Sequence, residues 1–532
     1  MMNSTRNSVP PWLHPSQLWA FLCRPRTRYV LAWLAAATAA LITFVHGWVA
    51  FEEAARRDGN CGHAQIDFGG QWLLARMLVE GHGRDLYNRD VQREVLKAGY
   101  PEEDQTPNPK RSDAEQLMVW MMGSDDPELP RHVGGPLYPP IHPLLHFPLG
   151  FLRPRIGYRI LQFVPIPLGL LAAWGVRQLS SGRIWWPMAA LVIFLYPGFG
   201  AAVNLGQNPV LTLTILVWGW VFLARGQEGV GGAVWGLLAY KPVWAAAFFP
   251  VLLLSGRWRA GLAMLGSAAV LAALTLPLVG VQSWFDWLAV GREAALLYNV
   301  EENWIKGGRD LLGIPRRWTI DFSIPYTQRD KNWLPPLVIG WGLIVLVVEL
   351  TVRIAVLRRR SVQAGEGPPA AFLLLAGWLT CFHFMYYDVL LTALPALLLF
   401  CDWRQYLYPR LLALLPLSKR MVDPDVQAYF EPRRASTVPP PLPLLQERPG
   451  KLWVLNSAAP TLVAGVLLSM YIPGMFYLLA DAVPPIDTYC LIALWLWCGW
   501  RWLQAPPWSA AQAADHPDPP SRRGLVDVRY AP

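Results

Sequence analysis

Five short stretches place polar or ionisable side chains inside apolar surroundings, and each suggests a chemistry. Asp67 opens DFGGQWLLARMLVEG; Tyr138 and His142 lie in GGPLYPPIHPLLHFPLG; Asn204, Gln207 and Asn208 lie in NLGQNPV; Lys241 sits in AYKPVW; His383, Tyr387 and Asp388 lie in CFHFMYYDVLL. An aspartate at the start of a helical pattern either caps the helix, accepting bonds from its exposed N–H groups, or accepts a proton as a general base. The two roles are compatible, because a cap also orients the carboxylate. Tyr138 followed by two prolines has a restricted backbone, which makes a stiff interfacial anchor or sets the ring and His142 at a pocket mouth. His146 is a weaker candidate, amid apolar neighbours. The amides at 204, 207 and 208 suit sugar hydroxyls or the unpaired backbone of a broken helix. A lone cation such as Lys241 between apolar runs calls for an anion, and a lipid headgroup or phosphate would supply one. No glycine-rich nucleotide loop is present. On a continuous helix His383 and Tyr387, four apart, share a face with Asp388 beside it. That set suits a substrate-binding or structural network, since His383 and Asp388 belong to no recognised metal-ligand spacing and no metal site is expected.

The elements that must position these residues are membrane spans. Of 532 residues 54% are hydrophobic and only 16% charged, outside the range of a soluble globular chain. The uncharged run 29–51, preceded by the basic CRPRTR, is long enough to cross a hydrocarbon core of roughly 30 Å, and its length and the long arm before it mark a retained anchor rather than a cleaved signal. Further spans are expected near 157–176, 184–203, 209–224, 230–254, 260–280, 334–357, 369–400, 453–477 and 485–503. The Lys-Pro pair inside 230–254 and the HFMYYD inside 369–400 make each either one tilted broken helix or two short ones, a break being tolerable in a membrane only against protein or a water-filled cavity, and two pairs would give twelve spans. The fold class is therefore an all-α polytopic membrane protein of about 10–12 transmembrane helices, with an amphipathic outer-face segment in the first large loop, on which Phe68, Trp72, Ala75, Met77 and Val79 form the apolar face.

Charge sets the expected orientation. The net charge of +9 is dispersed in short clusters at the ends of apolar runs, which reads as topology and not as a nucleic-acid footprint. A cytoplasmic arm, 1–28, leads into a transmembrane domain, 29–401, whose outer loops are 52–140 and 281–333. A proline-rich cytoplasmic connector, 402–452, joins it to C-terminal transmembrane helices, 453–503, and a disordered cytoplasmic tail, 504–532. Between Glu52 and Arg131 sixteen acidic residues face ten basic ones, so the first outer loop is acidic in a basic chain. One cluster breaks the pattern: Arg153-Pro-Arg155 precedes a span on the outer side unless 141–150 dips into the bilayer and returns. The six cysteines are scattered and offer neither a disulfide framework nor a metal spacing.

From about residue 30 to 400 the chain resembles the family 87 glycosyltransferases of the GT-C class, enzymes that use polyprenyl-phosphate sugars and include mannosyltransferases. The likeness lies in DFGGQWLLARMLVEGHGRDLYN from Asp67, LYPPIHPLLHFPLG from Leu137, the block from Asn204 through AYKPVW, and FHFMYYDVLLTALPAL from Phe382. The resemblance implies inverting transfer of a hexose, mannose by the family's habit, from a polyprenyl-phosphate-linked donor to a glycolipid or glycan acceptor. It implies a multi-pass enzyme of the cytoplasmic membrane whose site faces the periplasmic or extracellular side. Asp67 corresponds to the first-loop acid taken as general base, and Lys241, Gln207 and Asn208 match family positions. With Tyr138, His142, Asn204, His383, Tyr387 and Asp388 these are the expected substrate-binding residues. No cofactor is called for with certainty; some GT-C enzymes use a divalent cation at the phosphate. The polar padding at 101–131 and the connector 402–452 depart from the family and bear on the acceptor. A transporter or flippase of a lipid-linked glycan also uses broken helices and midplane polar groups, but no inverted repeat is visible. A non-catalytic assembly protein is the third reading.

Overall fold

The computed structural model describes residues 21–22, 24–51, 62–101, 137–297, 300, 302–325, 328–329, 334–358, 365–400, 458–471 and 486–504. The expected connector, most of the N-terminal arm, the padding before Leu137 and the tail beyond Gln504 lie outside them. Among the described residues the chain is helical, and β-pairing is confined to one isolated bridge, Gly308 to Met385. Proline opens many of the helices, at 25, 154, 165, 187, 209 and 242. That is where its missing N–H costs nothing and its fixed φ suits the first turn.

The first span, Pro25–Val49, buries a stripe of small residues, Ala32, Ala36, Ala39, Ala40 and Gly47. Small side chains let helices approach closely where lipid supplies no hydrophobic drive, and this stripe packs against Trp186–Leu195. Trp186–Leu195 and Phe199–Leu205 form one bent unit, broken by 62° at Tyr196 to Gly198. Both expected breaks are present. Glu228–Gly236 passes through a 3₁₀ turn, Leu237–Tyr240, and resumes as Pro242–Leu254. Gly367–Leu379 stops, and the chain resumes as a 3₁₀ segment, Tyr386–Thr392, and a helix, Ala393–Leu399.

Four described helices are long and apolar enough to cross a membrane, or five with the bent pair, and shorter apolar helices make up the rest. The breaks explain why this falls below the expected number of spans: an interrupted crossing is divided into pieces each too short by itself. Trp258–Val279 and Val338–Leu357 are only 17% buried in their most apolar windows, so Leu262, Val270 and Leu274 on the first and Ile339, Leu343 and Val347 on the second face lipid. The protein is an all-α multi-pass membrane protein.

The Asp67–Val79 helix differs from expectation. Phe68 through Ala75 and Met77 are all buried, so it is enclosed on every side rather than lying half-immersed. Its neighbours are His142–Gly150, Tyr158 and Leu161 of Pro154–Phe163, and Arg89–Gly99, which together with Ala64, Leu86 and Val279 form a second, smaller core beside the main bundle.

Candidate active site

Helix geometry gathers the polar residues at one end of the bundle. Pro209–Ala224 starts directly after Gln207 and Asn208 and runs away for about 24 Å to the turn at Arg225. The chain returns through Glu228–Tyr240 to Lys241 and leaves again as Pro242–Leu254. Gln207 and Lys241 therefore share a layer because each lies at a helix start, where a side chain can reach inward without interrupting a helical ladder.

Asp67 enters the same layer as the first residue of its helix. The N-cap position belongs to Ile66 and no side chain caps the helix, so the capping role considered from sequence is not the one Asp67 takes. Its carboxylate lies in the first turn, where the helix dipole favours negative charge. The half-buried side chain engages the Gln207 amide and lies within electrostatic reach of Lys241 and Asp388. Loss of surrounding water pushes its pKa above the usual carboxylate range; the Gln207 hydrogen bond and the Lys241 charge pull it back, and Asp388 adds to the rise.

Around this carboxylate the groups are tightly arranged. Lys241 Nζ donates to Asp388 Oδ1 at 2.9 Å and Oδ2 at 3.2 Å, with the ammonium 5.1 Å from the centre of the Tyr387 ring. Asp388 is fully buried; it sits in the first turn of Tyr386–Thr392 and accepts the Met385 N–H at 3.4 Å. Gln207 Nε2 donates to the Tyr138 hydroxyl at 3.3 Å. Tyr138 stacks on His142 at 3.8 Å and 9°, and His142 on His146 at 4.6 Å. His142 Nδ1 lies 3.4 Å from the Tyr240 carbonyl, while its Nε2 and the Gln207 Oε1 are buried with no protein partner. Two buried polar atoms in one layer normally find partners, and a ligand with several hydroxyls would provide them.

Some expected residues stand apart. The Asn204 side chain faces the first span: a Cβ added to Gly47 would lie 2.6 Å from its Oδ1. Asn208 Nδ2 donates to Gln71 Oε1 at 3.0 Å, placing it behind the layer. His383 and Tyr387 do not share a helical face, because the chain from Cys381 to Met385 is not helical; the break in that span removes the i,i+4 relation. His383 is nonetheless within electrostatic reach of Lys241 and Arg316. Among the described residues no group of three or more His, Cys, Asp or Glu is placed to hold a metal ion, and the positive charge in the layer is that of Lys241.

The structure adds residues that sequence reading passed over. Gln71, fully buried, donates to the Gly206 carbonyl at 2.7 Å and ties the Asp67 helix to the Gln207 turn. Its signal was available: it stands four residues after Asp67, on the same helical face. Tyr240 donates to the Asn208 carbonyl at 3.1 Å and lies 2.5 Å from the Thr212 hydroxyl. Arg309 pairs with Asp487 at 2.7 Å, locking the 302–319 segment to the C-terminal helix, and Arg316 lies 3.7 Å from Asp310. Arginines in a polar loop carry no sequence mark of burial.

Residues 137–379 match glycosyltransferase family 87. That family 87 segment holds Tyr138, His142, Gln207 and Lys241, with Asp67 on its N-terminal side and Asp388 just past its end. The matched segment is a little under half of the chain, and a GT-C class membrane glycosyltransferase is consistent with the all-helical, multi-pass build. No curated protein and no solved structure matches the chain.

Proposed function

We propose that this chain acts as a family 87 glycosyltransferase and moves a hexose, mannose by family analogy, from a polyprenyl-phosphate donor to a hydroxyl of a glycolipid or glycan, with inversion, at the outer face of the cytoplasmic membrane. One observation carries the reading: the Asp67 carboxylate lies beside Gln207 and within electrostatic reach of the cation Lys241, whose ammonium is paired with Asp388. Inverting transfer from a lipid phosphate needs little else. The carboxylate removes the acceptor proton as the oxygen attacks the anomeric carbon from the face opposite the phosphate. The new C–O bond forms as the sugar–phosphate bond breaks, its electron pair leaves with the phosphate, and the proton ends on Asp67. The Lys241 ammonium offsets the charge growing on the phosphate, although it must share itself with Asp388. Gln207 Oε1 and His142 Nε2 offer partners to sugar hydroxyls, and the stacked Tyr138 and His142 rings give the sugar a rigid wall. A divalent cation at the phosphate would find Asp67 and Asp388 as its carboxylates, the second already paired with Lys241.

The test is Asp67→Asn in a radiolabelled lipid-phosphate-sugar transfer assay, with a melting curve beside it. The variant is expected to fold and bind donor like wild type while turnover falls about 10²-fold or more. In the wild type kcat/KM should fall on the acid side through a pKa above the usual carboxylate range, because the base must be ionised and burial holds its proton more tightly. A folded asparagine variant with wild-type turnover would remove Asp67 from the chemistry. Movement of intact donor across the bilayer without sugar transfer would favour a flippase.

A further inference from the structure

The Arg153-Pro-Arg155 cluster, at odds with the charge pattern of the rest of the chain, lies beside a groove the transfer chemistry does not use. The groove, about 530 Å³, runs between the outer half of Pro25–Val49 and the start of Pro154–Leu179. Phe44, Ile156, Ile160, Phe163 and Val164 make its apolar walls, and Trp48, Arg155 and Arg159 complete it. The two helices run antiparallel here: the Phe163 ring faces Phe44 at 6.4 Å, and the Arg159 guanidinium lies 4.1 Å from the Trp48 ring centre. The groove is thus graded along its length. Phe163 and Val164 are at the end toward the bilayer interior, and Arg159 and then Arg155 follow toward the Asp67 end of the bundle, about 12 Å away along the helix.

Arg159 donates to the Trp48 carbonyl at 2.5 Å and to Gln162 Oε1 at 2.8 Å, so its charge is held at the mouth rather than extended into water. Arg155 is exposed one turn further out. Both belong to a helix whose surroundings are lipid: Ile156, Ile160 and Phe163 are each at least 44% exposed. Two cations, Arg159 held at the mouth and Arg155 exposed beside it, above an apolar channel at a tryptophan-marked interface complement one amphiphile, a phosphate headgroup with an acyl chain beneath it.

We infer that this groove binds an anionic phospholipid of the surrounding bilayer, its phosphate between Arg155 and Arg159 and an acyl chain along Phe44, Ile160 and Phe163. The site is separate from the sugar-transfer layer, lying across the 154–179 helix from it. The helix connects the two: Tyr158, next to Arg159, donates to the Asn204 carbonyl at 2.7 Å, and its ring packs edge-on against Phe68 at 5.3 Å. A bound lipid would therefore brace the wall on which Asp67 is mounted, and the inference stands whether or not Asp67 is the base.

Native mass spectrometry of the full chain, released from vesicles of equal phosphatidylglycerol and phosphatidylcholine, tests this. Wild type should retain phosphatidylglycerol in preference. Arg155→Gln, which leaves the Arg159 contacts in place, should cut that preference about fivefold, the usual worth of one basic residue against anionic lipid. Ile160→Trp, which fills the channel without touching charge, should lower retention of both lipids. Inorganic phosphate in millimolar excess should displace nothing. Equal retention of the two lipids by wild type, or an unchanged preference in Arg155→Gln, overturns the inference. Displacement of phosphatidylglycerol by stoichiometric polyprenyl phosphate also overturns it and makes the groove a donor-lipid channel instead.

Discussion

Lys241 and Asp388 form a buried ion pair next to Asp67, and such a pair has two separable jobs. Removing one partner leaves the other charged and unpaired out of water, which typically costs about 3–5 kcal/mol, whereas removing both is often nearly neutral. Lys241→Met should therefore lower the melting temperature clearly, and the double variant Lys241→Met with Asp388→Asn should recover most of it. Transfer should not recover with it, because the cation proposed to face the departing phosphate is still missing. Melting curves and turnover at limiting donor decide the matter, and a double variant with wild-type turnover would make the pair purely structural. Asp67, Gln207, Lys241 and Asp388 were all visible in the sequence, because a polar residue in an apolar chain stands out by its cost. Their pairing was not visible, since Lys241 and Asp388 lie 147 positions apart. Gln71 went unread among apolar neighbours, and Asn204 was read toward the site although it turns to the first span; only packing decides which way a loop amide points.

Among the elements, the bent pair 186–205 shows how a break is used. At the bend Gly198 takes φ +91°, and a Cβ there would stand 2.1 Å from the Tyr387 carbonyl oxygen. Tyr196, on the same bend, meets the Thr392 hydroxyl at 2.7 Å. The bend thus rests directly on the 3₁₀ segment that carries Asp388. Gly198→Ala would place an L side chain in the left-handed region, costing about 1–2 kcal/mol, and would push the Tyr387–Asp388 backbone away. It should lower both the melting temperature and transfer. Gly200→Ala, two residues on, is the control: its nearest neighbour would be Thr43 Cγ2 at 3.9 Å, and alanine favours a helix. Equal behaviour of the two variants would show that the bend does not position the Asp388 segment. The bend is not legible in YPGFG, where a continuous span is expected over 184–203, while the proline after Lys241 and the polar run HFMYYD mark spans that break or divide. The enclosure of Asp67–Val79 was likewise hidden, because an apolar helix looks the same from sequence whether lipid, headgroups or protein surround it.

For the whole molecule, the two ends of the bundle differ in what they collect. The Asp67 layer is at one end. At the other, Arg225 donates to Gln178 at 2.9 Å, Arg183 pairs with Glu366, Trp220 donates to the Gly365 carbonyl at 2.9 Å, and the Tyr29 ring lies 6.1 Å from Trp185. These contacts, with Arg257 donating to the Leu223 carbonyl at 2.9 Å, bring the basic turns at 177–183, 225–228 and 255–259 to the same end as the basic start of the first span. Basic turns gathered in this way favour the cytoplasmic side, which supports an outward-facing transfer site. Lys97 is exposed on the Arg89–Gly99 helix, whose Gly99 lies against Trp72, and Gln227 is exposed at the far turn. With the six native cysteines replaced, Lys97→Cys should react with a membrane-impermeant maleimide on intact cells, and Gln227→Cys only after the membrane is opened. The reverse pattern would place Asp67 in the cytoplasm, where the donor sugar would have to be presented on the inner leaflet, and the proposed orientation would fall while the geometry of the site stood.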